Sequence, residues 1–199
     1  MAPVLVDLPA IFVSVSYRLL PDVTYPAPLW DCIHALKWVH DNASDFGGSP
    51  ERLFVGGHSA GGQIAALMAL QPESLTATGV PVDAIKGVFC VSTTFDRRMV
   101  NASAAPDHVP REAVGEIAPD SPIALADRAR APFFITWGGK EDERLERTGR
   151  QMIAALQRAK CPVEAHVFPD ADHFSIHLDT GRADDWWTRR VRAMMSASA

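Results

Sequence analysis

Cysteine is scarce in this chain of 199 residues, which contains only Cys32, Cys90 and Cys161. Their odd number and wide spacing argue against a disulfide framework and against a zinc-binding cysteine cluster. We therefore expect reduced, mostly buried thiols, which suits a cytoplasmic protein. No cofactor is expected either.

Clustered positive charge and long apolar runs are also lacking. The net charge is −5 at pH 7 with no basic block, so nucleic acid is not an expected partner. No apolar run reaches the length of a bilayer, so we expect no membrane span. The apolar start, residues 1–20, is interrupted by Asp7 and has no basic segment before it. A strand entering a core explains this start better than a signal peptide does.

Short apolar segments alternate with segments of helical periodicity along the chain. The length fits one domain covering residues 1–199. The predicted strands are 10–17, 53–55, 85–92, 132–137 and 163–168, and the predicted helices are about 29–42, 64–70, 145–158 and 183–195. This alternation predicts an α/β fold, in which helices cover both faces of a mostly parallel sheet.

Residues 93–130 interrupt the alternation, because they are rich in Ala, Pro and Asp and have weak periodicity. We predict that this segment passes over the carboxyl ends of the strands, where active groups gather in sheets of this type. A cap or lid and a plain surface loop are both compatible with its composition.

The segment 53–64 has the pattern of a strand, a sharp turn and a helix. Its turn, Gly57–Gly61, matches Gly-x-Ser-x-Gly with Ser59 at the apex. Such a turn brings chain segments close together, so we expect side chains to clash at both flanking glycines. The Ala60 amide falls at a helix N-terminus, which favours negative charge. The pattern predicts Ser59 as a nucleophile; the alternative is a glycine-rich turn that merely contains a serine.

A serine nucleophile needs a base, and His173 is the best candidate. It follows the predicted strand 163–168, at the sheet end where Ser59 is expected. His58 adjoins the nucleophile and is expected to pack beneath the turn. His173 and His177 have the spacing of a helical metal pair, but no acidic third ligand has a clear place, so no metal site is predicted.

The acid that orients the base is expected after the preceding strand, 132–137. Glu141, Asp142 and Glu143 provide three consecutive carboxylates there. The alternative is a solvated acidic helix start, since acids favour the first turn of a helix. We expect one of these acids to orient His173 and the others to serve the helix. The resulting chain order of serine, acid and histidine is typical of this architecture.

Five stretches of the chain carry a family resemblance. They are Val13–Leu19 with Pro21, Gly57–Gly62, Ser121-Pro122, Gly138–Leu145, and Pro169 with Asp172–Phe174. Together they resemble the α/β-hydrolase superfamily, specifically its esterase and lipase branch around hormone-sensitive lipase. Related bacterial esterases and kynurenine formamidases have a similar acid turn and a similar Asp-His-Phe ending. In an ungapped alignment the family's catalytic aspartate falls on Glu141, with Asp142 as the alternative.

The sequence departs from this family ahead of Tyr17. The family has a His-Gly-Gly motif well before its Tyr-Arg-Leu segment, and the backbone amides of that motif complete the oxyanion hole. No such motif occurs before Tyr17, and a strand that normally lies between 10–17 and 53–55 has no counterpart. We therefore expect an N-terminally truncated fold: a fragment of a longer protein, a misassigned start or a decayed domain. Losing one oxyanion donor typically lowers the rate about 100- to 1000-fold.

The resemblance implies a serine hydrolase that cleaves small-molecule carboxylic esters through an acyl-enzyme intermediate. In this interpretation Ser59 is the nucleophile, His173 the base, Glu141 the acid, and the Ala60 amide an oxyanion donor. Two alternatives stay open. One is an amide hydrolase of the arylformamidase type, acting on N-formylkynurenine, and the other is a non-catalytic remnant without a complete oxyanion hole.

Overall fold

Four parallel strands form the sheet in the computed structural model, which describes residues 5, 10–19, 21–97, 120–179, 182 and 185–197. The strands are β1 (Leu53–His58), β2 (Ile85–Val91), β3 (Phe133–Gly138) and β4 (Val163–Phe168). They lie in the order β1-β2-β3-β4, and each neighbouring pair is parallel. The carboxyl ends of all four strands therefore meet at one edge of the sheet.

Six α-helices are described beside this sheet. They are α1 (Ala27–Asn42), α2 (Ala60–Leu70), α3 (Pro72–Thr78), α4 (Glu143–Arg158), α5 (Ser175–Asp179) and α6 (Trp186–Ala197), and short 3-10 helices cover Ala43–Phe46 and Ala126–Arg128. The predictions of α1, α2, α4 and α6 are confirmed. The short helices α3 and α5 were not predicted, because one or two turns are too short for a helical period to show.

The strands bury side chains on both faces of the sheet, because successive residues of a strand point to opposite sides. Val88 and Cys90 of β2 belong to a larger core that includes residues of α1, α2 and α4. Phe89 and Val91 belong to a smaller core that includes Trp187 of α6, whose ring meets Phe89 edge-on. The predicted α/β class, with helices on both faces of a parallel sheet, is confirmed.

The segment predicted as a buried strand, residues 10–17, forms no strand. Its apolar side chains are 39–45% exposed at four positions, namely Ile11, Phe12, Val13 and Val15. A strand needs a hydrogen-bonded neighbour, and within the described ranges β1 pairs only with β2. The prediction was wrong because a β-branched composition favours a strand only where a neighbouring strand is present.

The excursion predicted over residues 93–130 lies partly outside the described residues, which omit 98–119. Its two described ends are held together, since the Ile123 N–H donates to the Phe95 carbonyl at 3.3 Å. Both residues belong to the larger core. The cap over the sheet end stays a prediction, as does the single domain over 1–199.

Two further expectations concern membranes and thiols. None of the helices that the structure describes combines the length and apolar character needed to cross a membrane. All three cysteines are buried and free, as predicted. Burial raises the pKa of Cys32 to about 11, so this thiol stays protonated and unreactive near neutral pH.

Candidate active site

Ser59 lies at the turn between β1 and α2, with φ 55° and ψ −121°. A residue with a side chain adopts such a conformation at a cost of about 1–3 kcal/mol. Two hydrogen bonds hold the turn: the Ser59 N–H donates to the Val91 carbonyl at 2.9 Å, and the Gln63 N–H donates to the Ser59 carbonyl at 3.2 Å. Ala60 begins α2, so its N–H is one of the helix donors that lack an intrahelical acceptor.

Close packing in this turn explains the glycines at 57 and 62 but not the one at 61. A Cβ at Gly57 would lie 2.4 Å from the carbonyl carbon of Gly61, and a Cβ at Gly62 would lie 1.9 Å from Thr93 Oγ1. A Cβ at Gly61 would have no heavy atom within 4 Å. The predicted clash is confirmed at Gly57 and wrong at Gly61, because position 61 contributes only its backbone to the contact.

His173 reaches Ser59 from the histidine loop, residues 169–174, which joins β4 to α5. Its Nε2 lies 3.0 Å from Ser59 Oγ, and its Nδ1 lies 3.3 Å from Glu141 Oε2. The Glu141 side chain is 1% exposed and that of His173 is 29% exposed. Hydroxyl, imidazole and carboxylate thus form one hydrogen-bonded chain, along which the imidazole can accept the hydroxyl proton.

Asp172 shapes the histidine loop. Its Oδ1 accepts from the Ser175 N–H at 2.8 Å and the Phe174 N–H at 2.9 Å, and its own N–H donates to Ser175 Oγ at 2.8 Å. The hydrogen bonds that its carboxylate accepts, first those from Ser175 and then the one from Phe174, lower the pKa of Asp172. His173 is therefore held in a turn whose ends are tied to each other.

The two candidate acids have different surroundings. Glu141 points inward, where its Oε1 accepts from the Gly138 N–H at 2.7 Å and from the Ser92 hydroxyl. Asp142 instead caps α4 by accepting from the Arg144 N–H at 2.8 Å. The hydrogen bonds from Arg144 lower the pKa of Asp142 to about 2. The structure brings Glu141, and not Asp142, to His173.

Ser92 and His58 also contact this group, and neither was predicted to take part in it. Ser92 directly follows β2 and donates to Glu141. The Nε2 of His58 lies 2.7 Å from the His173 carbonyl oxygen, and burial lowers the pKa of His58. The sequence feature that could have indicated them is their position, because both residues lie at the carboxyl ends of strands.

No group of three or more His, Cys, Asp and Glu side chains within the described ranges could hold a metal ion. The rings of His173 and His177 both contact His58, with ring centroids 4.6 and 5.0 Å away. This histidine pair therefore belongs to an aromatic cluster beside Ser59.

Residues 2–177 match a family model described as the α/β-hydrolase fold, and the chain belongs to that family. This confirms the resemblance inferred from the five sequence stretches. The chain is similar to carboxylesterase NlhH of Mycobacterium tuberculosis, with 55% identity over 60 residues, which cover 30% of this chain and 19% of NlhH. Esterase LipQ of the same organism is 29% identical over 183 residues, which cover 85% of this chain and 44% of LipQ.

A solved structure, the truncated form of a carbohydrate esterase from gut microbiota, supports the fold. It matches with a TM-score of 0.74 at 16% identity, over 92% of this chain and 72% of that chain. The segments that match cover less than half the length of NlhH and of LipQ.

Proposed function

We propose that this chain hydrolyses carboxylic esters by acyl transfer through Ser59. The observation that carries the proposal is the 3.0 Å contact of Ser59 Oγ with His173 Nε2, with Glu141 at the other ring nitrogen. His173 takes the hydroxyl proton as Oγ attacks the carbonyl carbon, and Glu141 stabilises the imidazolium that forms. The Ala60 N–H donates to the oxyanion.

The second half of the reaction uses the same groups. The tetrahedral intermediate expels the alcohol, which takes its proton from His173, and Ser59 keeps the acyl group. His173 then removes a proton from water, the water attacks the acyl-enzyme, and the carboxylic acid leaves as Ser59 recovers its proton. An ester substrate is supported by the names of the similar proteins, a carboxylesterase and an esterase.

Steady-state hydrolysis of p-nitrophenyl acetate tests the nucleophile. Ser59→Ala is expected to lower kcat by at least about 10³-fold, because no other group replaces the attacking oxygen. Ser44→Ala is the matched control, since it makes the same change at an exposed position of the 3-10 helix Ala43–Phe46 and is expected to keep the wild-type rate. Equal rates for the wild type and Ser59→Ala would dismiss Ser59 as the nucleophile.

A fluorophosphonate probe, read by intact mass, separates the enzyme from a non-catalytic remnant. An activated Ser59 reacts with the probe, and Ser59→Ala does not. Absence of labelling at Ser59 would favour the remnant. Assays of N-formylkynurenine beside short and long acyl esters test the amide-hydrolase alternative, which a strong ester preference would rule out.

A further inference from the structure

Ser92 holds a backbone conformation that its residue type rarely adopts. It directly follows β2, is fully buried, and has φ 50°. Its N–H donates to the Thr136 carbonyl of β3 at 2.8 Å, which fixes the residue between two strands. A strained, buried residue that is not glycine persists only where its surroundings hold it, and such residues cluster at functional sites.

The Ser92 side chain contacts Glu141, the acid of the candidate site. Its hydroxyl donates to Glu141 Oε1, the oxygen that also accepts from the Gly138 N–H at 2.7 Å. Both donors therefore occupy Oε1, and Oε2 remains for His173 Nδ1 at 3.3 Å. A glutamate side chain has more rotatable bonds than an aspartate, so its carboxylate depends on such contacts for a fixed orientation.

We propose that Ser92 is a positioning residue, which orients the Glu141 carboxylate so that Oε2 meets His173. This inference rests on the proposed function. It also explains the residue type, because glycine would relieve the strain at a positive φ but carries no hydroxyl to donate. Serine is the smallest side chain that supplies this donor.

Two substitutions separate positioning from a structural role. Ser92→Ala removes the hydroxyl and keeps a Cβ in the strained conformation, whereas Ser92→Gly removes the hydroxyl and relieves the strain. We expect Ser92→Gly to unfold at a higher temperature than Ser92→Ala. If Ser92 orients Glu141, both variants nevertheless lose kcat by a similar factor of about 10 to 100, with KM within about twofold of the wild type.

A double-mutant cycle tests whether the effect passes through the acid. In a Glu141→Ala background no carboxylate remains to be oriented, so adding Ser92→Ala is expected to change kcat by less than about twofold. The same substitution in the wild type gives the full loss. Thermal unfolding of all four proteins shows that each is folded at the assay temperature.

The outcomes distinguish this inference from the proposed function. Wild-type turnover that depends on Ser59, with kcat retained in Ser92→Gly, would overturn the role of Ser92 and leave the function intact. A full further loss from Ser92→Ala in the Glu141→Ala background would also overturn it, because the effect would then not require the carboxylate. Turnover independent of Ser59 would overturn both.

Discussion

The Nε2 of His58 lies 2.7 Å from the carbonyl oxygen of His173, so the residue before the candidate nucleophile holds the backbone of the candidate base. The two rings also contact each other, with centroids 4.6 Å apart. The strand that leads to Ser59 and the loop that carries His173 are thus tied together directly, independently of the contact between Ser59 Oγ and His173 Nε2.

Removing the His58 donor to the His173 backbone is expected to lower kcat without weakening substrate binding. His58→Leu removes the donor to the His173 carbonyl. The histidine loop is then held less firmly, which should lower kcat about tenfold with little change in KM. His58→Gln keeps an amide N–H at the same distance along the side chain and should retain most of the activity. Steady-state kinetics on p-nitrophenyl acetate measure both, and equal kcat values for the two variants would contradict a role for this hydrogen bond.

His58 also predicts a dependence of folding stability on pH. Burial lowers the pKa of His58 from its ordinary value of 6.5. Below pH 6.5 the unfolded chain therefore binds a proton that the folded chain does not, and the free energy of unfolding decreases as the pH falls, until the pH passes the folded pKa. Urea unfolding at pH 7.5 and 5.5 should show this decrease in the wild type.

His58→Gln is the matched control for that measurement, because glutamine does not titrate. The pKa of His166 is also lowered by burial, but His166 is present in both proteins, so the difference between them isolates His58. An identical loss of stability in the two proteins on acidification would show that His58 does not contribute.

The packing of the turn around Ser59 predicts opposite results for alanine substitutions at two nearby glycines. Gly57→Ala places a Cβ 2.4 Å from a backbone carbon, so β1 and α2 must separate. We expect loss of the fold or loss of turnover. Gly61→Ala meets nothing within 4 Å, and alanine favours a helix over glycine by about 1 kcal/mol, so this variant should be folded and active. Circular dichroism and turnover measure both, and a fully active Gly57→Ala would contradict the geometry.

The sequence predicted the elements whose formation depends on residues adjacent in the chain, such as the strand, the turn with a serine and the helix at 53–70. The alternation of strands and helices also predicted a parallel sheet, which places residues 141 and 173 at the same edge. Segment 10–17 shows the limit of this reasoning. Its composition favours a strand, but strand formation depends on a neighbour that composition does not reveal.

Ser92 and His58 show a second limit. Their contacts join residues 49 and 115 positions apart in the chain, and neither residue stands in a motif that names a partner. By charge and position alone, the adjacent carboxylates Glu141 and Asp142 are equivalent candidates, and only the family resemblance favoured Glu141. The structure separates them by the direction of each side chain, inward at 141 and toward Arg144 at 142, and that direction depends on tertiary packing.

Substitutions at these two carboxylates should therefore affect different properties. Glu141→Gln is expected to lower kcat by on the order of 10³- to 10⁴-fold, because an amide facing Nδ1 favours the wrong imidazole tautomer. Asp142→Ala should leave kcat near the wild-type value and lower the free energy of unfolding by about 1 kcal/mol, the usual effect of losing a helix cap. Loss of kcat in Asp142→Ala, with Glu141→Gln fully active, would reverse the assignment.

Acid titration sharpens the test at Asp142. Its pKa is about 2 in the folded chain, against an ordinary value of 3.8, so the carboxylate stabilises the fold fully above pH 3.8. That contribution is lost as the pH falls through about 2. The stability gap between the wild type and Asp142→Ala should therefore be constant from pH 7 to pH 5 and narrow below pH 4. Urea unfolding across this range measures the gap, and a gap that widens in acid would show that the charged form of Asp142 does not stabilise α4.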